Sequence, residues 1–324
     1  MTRKTTIKLM AHFCQDAGFG TVQVAPGYYF NMNPACEDYD WLVVFDELPV
    51  DDVELRCPRE RTMLLTWEPV SIKGYSRGYT RQFGHLLTNR PPEAECHPHY
   101  HLGCGYFPSF VPDAPTEIGK AAREKTKMVS AVCSNKQMRH TAHNARYGLM
   151  QELSREIPGF DWYGRGVRFL EKKSDALIPY RYHVAVENHI AAHHWTEKVS
   201  DAFLCECLPF YAGDPELGRV LPPESFIPIP IDAPQEAAAI IRSAIANDEY
   251  AKRRDAILEA KRLVSTEYNF FSQVLKVVKD EERQSVTPPD PACPARIRSR
   301  HLLRKVSPLV AIEDLWMHVR RGFR

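Results

Sequence analysis

From Tyr180 to Pro215 the chain reads YRYHVAVENHIAAHHWTEKVSDAFLCECLPFYAGDP, and this stretch leaves room for few folds. Tyr182 to Val186 is a short apolar run rich in aromatic and β-branched residues, long enough for a buried strand and too short for a helix. It stops at Glu187-Asn188. After a polar loop, Thr196 predicts a helix N-cap, with Val199, Ala202, Phe203 and Cys205 recurring at helical spacing and Glu197 and Lys198 in the first turn. Leu208 to Ala212 then reads as the next buried strand, so the unit is βαβ-like, and open α/β sheets bind ligands beyond the carboxyl ends of their strands. A Glu-Asn or Glu-Lys pair alone is an ordinary surface charge at an element's end. Here Glu187, Asn188, Glu197 and Lys198 converge on one rim, and a lysine beside free helix N–H groups suits an anion.

The same alternation runs through the rest of the chain. Thr6 to Met10, Trp41 to Phe45 and Thr62 to Thr66 read as buried strands, and His85 to Thr88 as a weaker one. Gly18-Phe-Gly20 is no dinucleotide fingerprint, because Gln23 stands where a third glycine is needed. Asp38-Tyr-Asp40 precedes a strand and is read as a turn. The third strand ends at Trp67-Glu68-Pro69, where proline denies the next ladder bond and leaves Glu68 at a strand's carboxyl end. Phe107 to Pro115 has the composition of a linker. Beyond it, Lys127 to Cys133 opens a new strand, and Asn144 to Glu156 predicts a helix with Arg146 in its first turn, a placement that suits a bound anion. Further helices are expected over Pro234 to Asn247, Tyr250 to Glu267 and Phe270 to Lys279. The expectation is an α/β chain of two doubly wound, Rossmann-like domains facing across a cleft: an acceptor-side domain over 1–122, a donor domain over 123–285, and a basic helical tail over 286–324.

The pattern Tyr180, Glu187-Asn188, Thr196-Glu197-Lys198, Pro209 and Gly213 strongly resembles the donor-binding segment of the α-1,3-fucosyltransferases of glycosyltransferase family 10. Asp161-Trp-Tyr-Gly-Arg-Gly166 resembles that family's strand and glycine turn, and Ser134-Asn135 followed by Arg146 its arginine-bearing helix start. The sequence departs from the pattern at Lys136, Val186 and Trp195. The resemblance spans about Lys127 to Ile231 and implies the two-domain GT-B architecture and inverting transfer of a sugar, fucose from GDP-fucose, to a glycan hydroxyl. It implies donor contacts from Arg146, Glu187, Asn188, Trp195, Glu197 and Lys198, with Glu68 as the carboxylate base. Cationic side chains and a helix end would neutralise the leaving diphosphate, so no metal or other cofactor is expected. The alternatives are the same scaffold with another nucleotide sugar, or a nucleotide-sugar or glycan-binding module without catalysis, which would have no use for Glu68.

Forty-two basic against 41 acidic residues leave no bulk charge for nucleic acid, and no apolar run is long enough to span a bilayer. The opening Met-Thr-Arg-Lys lacks the apolar core of a signal peptide, which points to the cytosol. The nine cysteines follow no disulfide framework and are expected reduced. Cys96-His-Pro-His-Tyr-His101 and Cys104 have metal-ligand residue types but no standard zinc spacing, and are read as a solvated loop. The segment from Arg296 to Arg324 carries eight Lys or Arg against two acids, with Leu309, Ile312, Trp316, Val319 and Phe323 on one helical stripe. Two readings follow. The stripe lies in an anionic membrane interface, holding a cytosolic enzyme peripherally on the inner face, or it folds back on the first domain and is buried there.

Overall fold

Buried parallel strands are built from continuous apolar runs, and the chain contains two sets of them, each in its own sheet. The computed structural model describes residues 4–14, 20–69, 71–90, 97–103, 125–136, 142–284 and 296–322. In chain order the first half gives β1 (Thr5–Met10), β2 (Thr21–Ala25), β3 (Tyr28–Asn31), β4 (Trp41–Phe45), β5 (Asp52–Glu54), β6 (Thr62–Thr66), the short helix α1 (Arg77–Thr80), β7 (His85–Thr88) and β8 (Tyr100–Leu102). There follow β9 (Lys127–Val132), α2 (His143–Glu156), β10 (Phe160–Tyr163), β11 (Tyr180–Val186), α3 (Glu197–Leu204), β12 (Leu208–Ala212) and β13 (Ile227–Pro228). The chain closes with α4 (Pro234–Ala246), α5 (Glu249–Lys252), α6 (Arg254–Thr266), α7 (Phe270–Gln284), β14 (Arg296–Arg298), α8 (Arg300–Val306) and α9 (Pro308–Gly322).

By packing, the chain divides into one unit of 1–103 with 271–324 and a second of 104–270. The sequence boundary at Ala122 lies outside the described residues. Residues 271–285, assigned from sequence to the donor domain, pack with the first unit. The reason is the apolar stripe of α7: Phe271 meets Phe30 edge-on at 4.9 Å, and Glu282 accepts from Tyr28 Oη at 2.8 Å.

In the first unit the sheet order is β2-β3-β1-β4-β6-β7-β8, parallel except for the β2–β3 pair. The loop read as solvated is partly core: His97 is buried, and Tyr100–Leu102 adds β8 to the sheet. His101 Nε2 lies 3.1 Å from His85 Nδ1, and burial pushes the His101 pKa down to about 4. Cys96 and Cys104 fall outside the described residues, among which no group of three or more His, Cys, Asp or Glu is arranged to hold a metal ion.

The basic tail is no appendage. β14 pairs antiparallel with β5, and Ile297, Leu303 and Val310 join the core. Helix α9 docks closely on α1: a Cβ on Gly78 would come within 2.4 Å of Val310 Cγ2, so only glycine permits the approach. Glu313 accepts from the Arg77 N–H at the start of α1, and Asp314 pairs with Arg304 and Arg300. The helix therefore folds back on the first unit, but not through the stripe expected to be buried there. Val310 and Asp314 face inward, while Leu309 is 79% exposed and Trp316 54%, with Ile312, Leu315 and Val319 also exposed. Phe323 lies outside the described residues. No helix among the described residues is long and apolar enough to cross a membrane.

The second unit carries the all-parallel order β10-β9-β11-β12-β13. In sequence terms this is 2-1-3-4-5, with the topological switch point between β9 and β11. Its interior includes a polar pair: His183 Nδ1 lies 2.9 Å from Ser130 Oγ, which donates to the Ala176 carbonyl. Burial pushes the His183 pKa down to about 3.

Candidate active site

A crevice beyond the strand ends at a switch point is the expected ligand site of such a sheet, and two helix N-termini flank this one. Helix α2 follows β9 and α3 follows β11. No acidic residue lies in the first turn of α2, where Arg146 is instead found, buried against Cys133. Arg146 Nε is buried with no hydrogen-bond partner among the described residues. The two helix starts are tied together where the Ala142 N–H, just before α2, donates to the Asn188 carbonyl at 3.1 Å.

Thr196 caps α3 as its sequence predicts, accepting from the Lys198 N–H. Its N–H and its hydroxyl donate to Glu187, each at 2.9 Å to Oε1, and Oγ1 also accepts from Lys198 Nζ at 2.9 Å. Glu187 is fully buried at the end of β11, with its carboxylate 3.3 Å from Lys198 Nζ. Glu197 reaches the same ammonium at 3.2 Å. Burial alone would lower the Lys198 pKa, yet Glu187 and then Glu197 hold it above the ordinary lysine value. Burial would likewise raise Glu197, but Lys198 pulls it down to about 2. The lysine is thus charged and fixed before any ligand arrives. Gly213 lets the next strand pass this cluster: a Cβ there would lie 2.7 Å from Glu187 Cγ and 2.1 Å from Tyr211 Oη.

The structure brings together Arg146, Glu187, Asn188, Glu197 and Lys198. Glu187 acts through Lys198 and Thr196. Trp195, expected at the donor, is 2% exposed in the core instead, edge-on to Tyr268 at 6.1 Å. Its place in the chain directs it inward beneath α3, with Val199 and Phe203. Cys133, against Arg146, was not singled out from sequence, where an isolated cysteine at a strand end carries no signal.

Glu68 lies in the first unit, exposed beyond β6, and its carbonyl accepts from Arg90 at 3.3 Å. Sequence reasoning missed its neighbours on that rim. Asp46 and Glu47 follow β4, Asp46 at φ +66°, and Lys73 Nζ sits 2.7 Å from each carboxylate. Against burial, Lys73 holds Glu47 below the usual carboxylate range. The available signal was Phe45-Asp46-Glu47 itself, two acids directly after a buried apolar run.

Residues 122–253 match the description "Glycosyltransferase family 10 (fucosyltransferase) C-term". No curated protein sequence matches the chain. Among solved structures, an α1,3-fucosyltransferase is similar at 14% identity with a TM-score of 0.50, covering 89% of this chain and 93% of its own. An α1,3-fucosyltransferase with GDP-fucose is similar at 15% identity and a TM-score of 0.47, covering 90% and 94%. A sucrose-phosphate synthase from Thermosynechococcus elongatus is similar at 9% identity and a TM-score of 0.45, covering 87% and 99%. These neighbours are GT-B glycosyltransferases, and at such identities the likeness is one of fold. Residues 122–253 thus carry a glycosyltransferase family 10 C-terminal domain, in a chain whose fold is similar to that of an α1,3-fucosyltransferase.

Proposed function

We propose that the protein is an inverting glycosyltransferase of the α-1,3 type, moving fucose from GDP-fucose to a hydroxyl of a glycan or lipid-linked glycan. The observation that carries this reading is the pairing of Arg146 and Lys198 at two helix N-termini on either side of one switch point, with Arg146 Nε still unsatisfied among the described residues. A diphosphate supplies the acceptor that Arg146 Nε lacks and takes the place of Glu197 on Lys198. Glu197 exchanges its contact with Lys198 for the ribose hydroxyls, and Asn188 orients the sugar. Glu68 takes the proton from the acceptor hydroxyl as its oxygen attacks the anomeric carbon. The C–O bond to the β-phosphate breaks, and Arg146, Lys198 and the helix ends hold the departing charge. With that positive charge fixed in the protein, the reaction calls for no metal ion. Calorimetry with GDP, and a panel of nucleotide sugars followed by nucleotide release, tests the reading. GDP binding with release from GDP-fucose supports it, release from a different donor moves the sugar, and binding without turnover makes the protein a binding module.

The exposed stripe of α9 favours a second element, a peripheral hold on an anionic membrane on the cytoplasmic side, near acceptors such as lipopolysaccharide. Leu309, Ile312, Trp316 and Val319 would enter the interface, with exposed Lys305 nearby for headgroups, worth about 1 kcal/mol. Removing everything after Val286 is a poor test, because it also deletes β14 and the buried Ile297. Flotation with anionic vesicles should instead compare the full chain with the L309S/I312S/W316S variant. Loss of most binding is expected, and equal flotation removes the membrane role.

A further inference from the structure

On the β12 side of the same switch point, a cavity of about 270 Å³ opens beyond the strand ends, walled by Ile190, Tyr211, Gly213, Phe226, Ile229 and Ile231. It lies just below the roughly 300–1,000 Å³ of sites that take drug-sized ligands, so it suits one small ring or part of one. The wall is mostly apolar, and its two polar side chains each accept a backbone hydrogen bond. Tyr211 Oη accepts from the Asp214 N–H at 2.8 Å, and Asp214 accepts from the Glu216 N–H at 2.8 Å. A nucleobase pushed into this cavity would leave ring nitrogens and exocyclic groups unpaired, each at a desolvation cost. A methyl group with the C–H edge of a ring would not.

The cavity adjoins the cation cluster through Gly213. The Glu187 N–H donates to the Ala212 carbonyl at 2.8 Å, Gly213 passes directly over the Glu187 side chain, and Ile190 lies two residues beyond Asn188. A diphosphate on Arg146 and Lys198 therefore has an apolar recess on its β12 flank. On its β10 flank is the open loop after Tyr163, where Val167 and Phe169 are exposed.

We infer that the cavity is a specificity pocket for the donor sugar. It takes the C6 methyl and adjoining C–H edge of a 6-deoxyhexose and leaves the ring hydroxyls at the mouth, beside Asn188 and Asp214. The inference rests on the diphosphate site proposed above and adds the side chains that distinguish a deoxysugar from its hydroxylated counterpart.

The test compares GDP, GDP-L-fucose and GDP-L-galactose, which differs from the fucose donor only by a hydroxyl on that carbon, as ligands of the full chain in calorimetry. The wild type should prefer the deoxysugar by roughly 10- to 100-fold, the range an apolar pocket achieves against an added hydroxyl. Ile190→Asn, at a position already 44% exposed, should bring that ratio to within a few-fold of one while GDP affinity stays unchanged. Ile231→Asn, on another part of the wall, should act in the same direction. Equal affinity of the wild type for both sugars overturns the pocket while GDP binding leaves the diphosphate site standing. An unchanged ratio in both variants does the same. Absence of GDP binding removes the diphosphate site and the pocket with it.

Discussion

The two sheets of this chain share a construction and differ in what they place at the point where strand order reverses. In the second unit the reversal lies between β9 and β11, and the loops there lead into helices whose first turns carry Arg146 and Lys198. In the first unit it lies between β1 and β4, and the loop after β4 carries Asp46 and Glu47, clamped by Lys73. One site is arranged to receive negative charge. The other offers carboxylates, as a step that removes a proton from an acceptor requires. The same backbone device thus serves opposite chemistries, decided by two or three side chains in each unit.

The largest effect expected is on the carboxylate side. Glu68→Gln keeps the shape and removes the basicity, so turnover should fall by roughly two to four orders of magnitude with donor affinity near normal. If E68Q turns over normally and Asp46→Asn or Glu47→Gln shows that loss instead, the base belongs to the reversal point itself. Glu47 is the weaker candidate, since Lys73 holds its carboxyl low. Of the other glutamates considered from sequence, Glu60 precedes β6 at its amino end, Glu54 pairs with Arg296, and Glu93 lies outside the described residues.

On the cationic side, Lys198→Ala should weaken GDP binding by about 2–4 kcal/mol, read by calorimetry. It also leaves Glu187 buried without its cation, so its melting temperature should drop, and adding Glu187→Gln should recover stability without recovering GDP affinity. Recovery of both would make the lysine a structural partner only. A smaller loss, about 1–3 kcal/mol of stability, is expected for Gly213→Ala, whose methyl displaces Tyr211 and Glu187. Chemical denaturation at unchanged stability would mean the strand yields more freely than its contacts suggest.

The smallest effect near neutral pH concerns acid sensitivity. His183 is neutral in the fold with its pKa near 3, whereas an unfolded histidine titrates near 6.5. As pH falls from 6.5 toward 3 the unfolded chain takes up a proton that the folded chain refuses, and stability declines by up to about 1.4 kcal/mol per pH unit. His183→Gln should flatten that slope in the second unit. An identical slope in both proteins would show that other groups govern the acid response.

Much of this was legible in the sequence, and the exceptions share a cause. β6, β7 and β12 coincide with the apolar runs that predict them, because a strand buried on both faces needs an unbroken run. The hairpin of β2 and β3 was missed: Thr21–Ala25 is half exposed and its residues alternate, so no run stands out. β8 was hidden by histidines that fill an apolar role. The helix expected from Tyr250 to Glu267 is broken at Arg253, where no proline or glycine marks the break. Strand, cap and first turn each carry a local signal for the places where Glu187, Thr196, Glu197 and Lys198 come into contact. Which member faces a ligand depends on packing, and sequence spacing put Trp195 beside Lys198 although its side chain points into the core. In α9 the stripe with the greater apolar content is the one left exposed, because Gly78 on α1 and Gly74 before it make room for a narrower contact.

The return of α7 and the last two helices to the first unit has a consequence for biosynthesis. The edge offered by β5 gains its partner only when residues 296–298 exist, and Tyr28 and Phe30 wait for α7. At about 5–20 residues per second, all of 104–270 takes on the order of ten to thirty seconds to translate. By the end of that interval the second unit has every strand of its sheet, while the first still waits with an unpaired edge and an uncovered core face. The strands of the second unit are therefore complete in the growing chain before the first unit receives its last pieces.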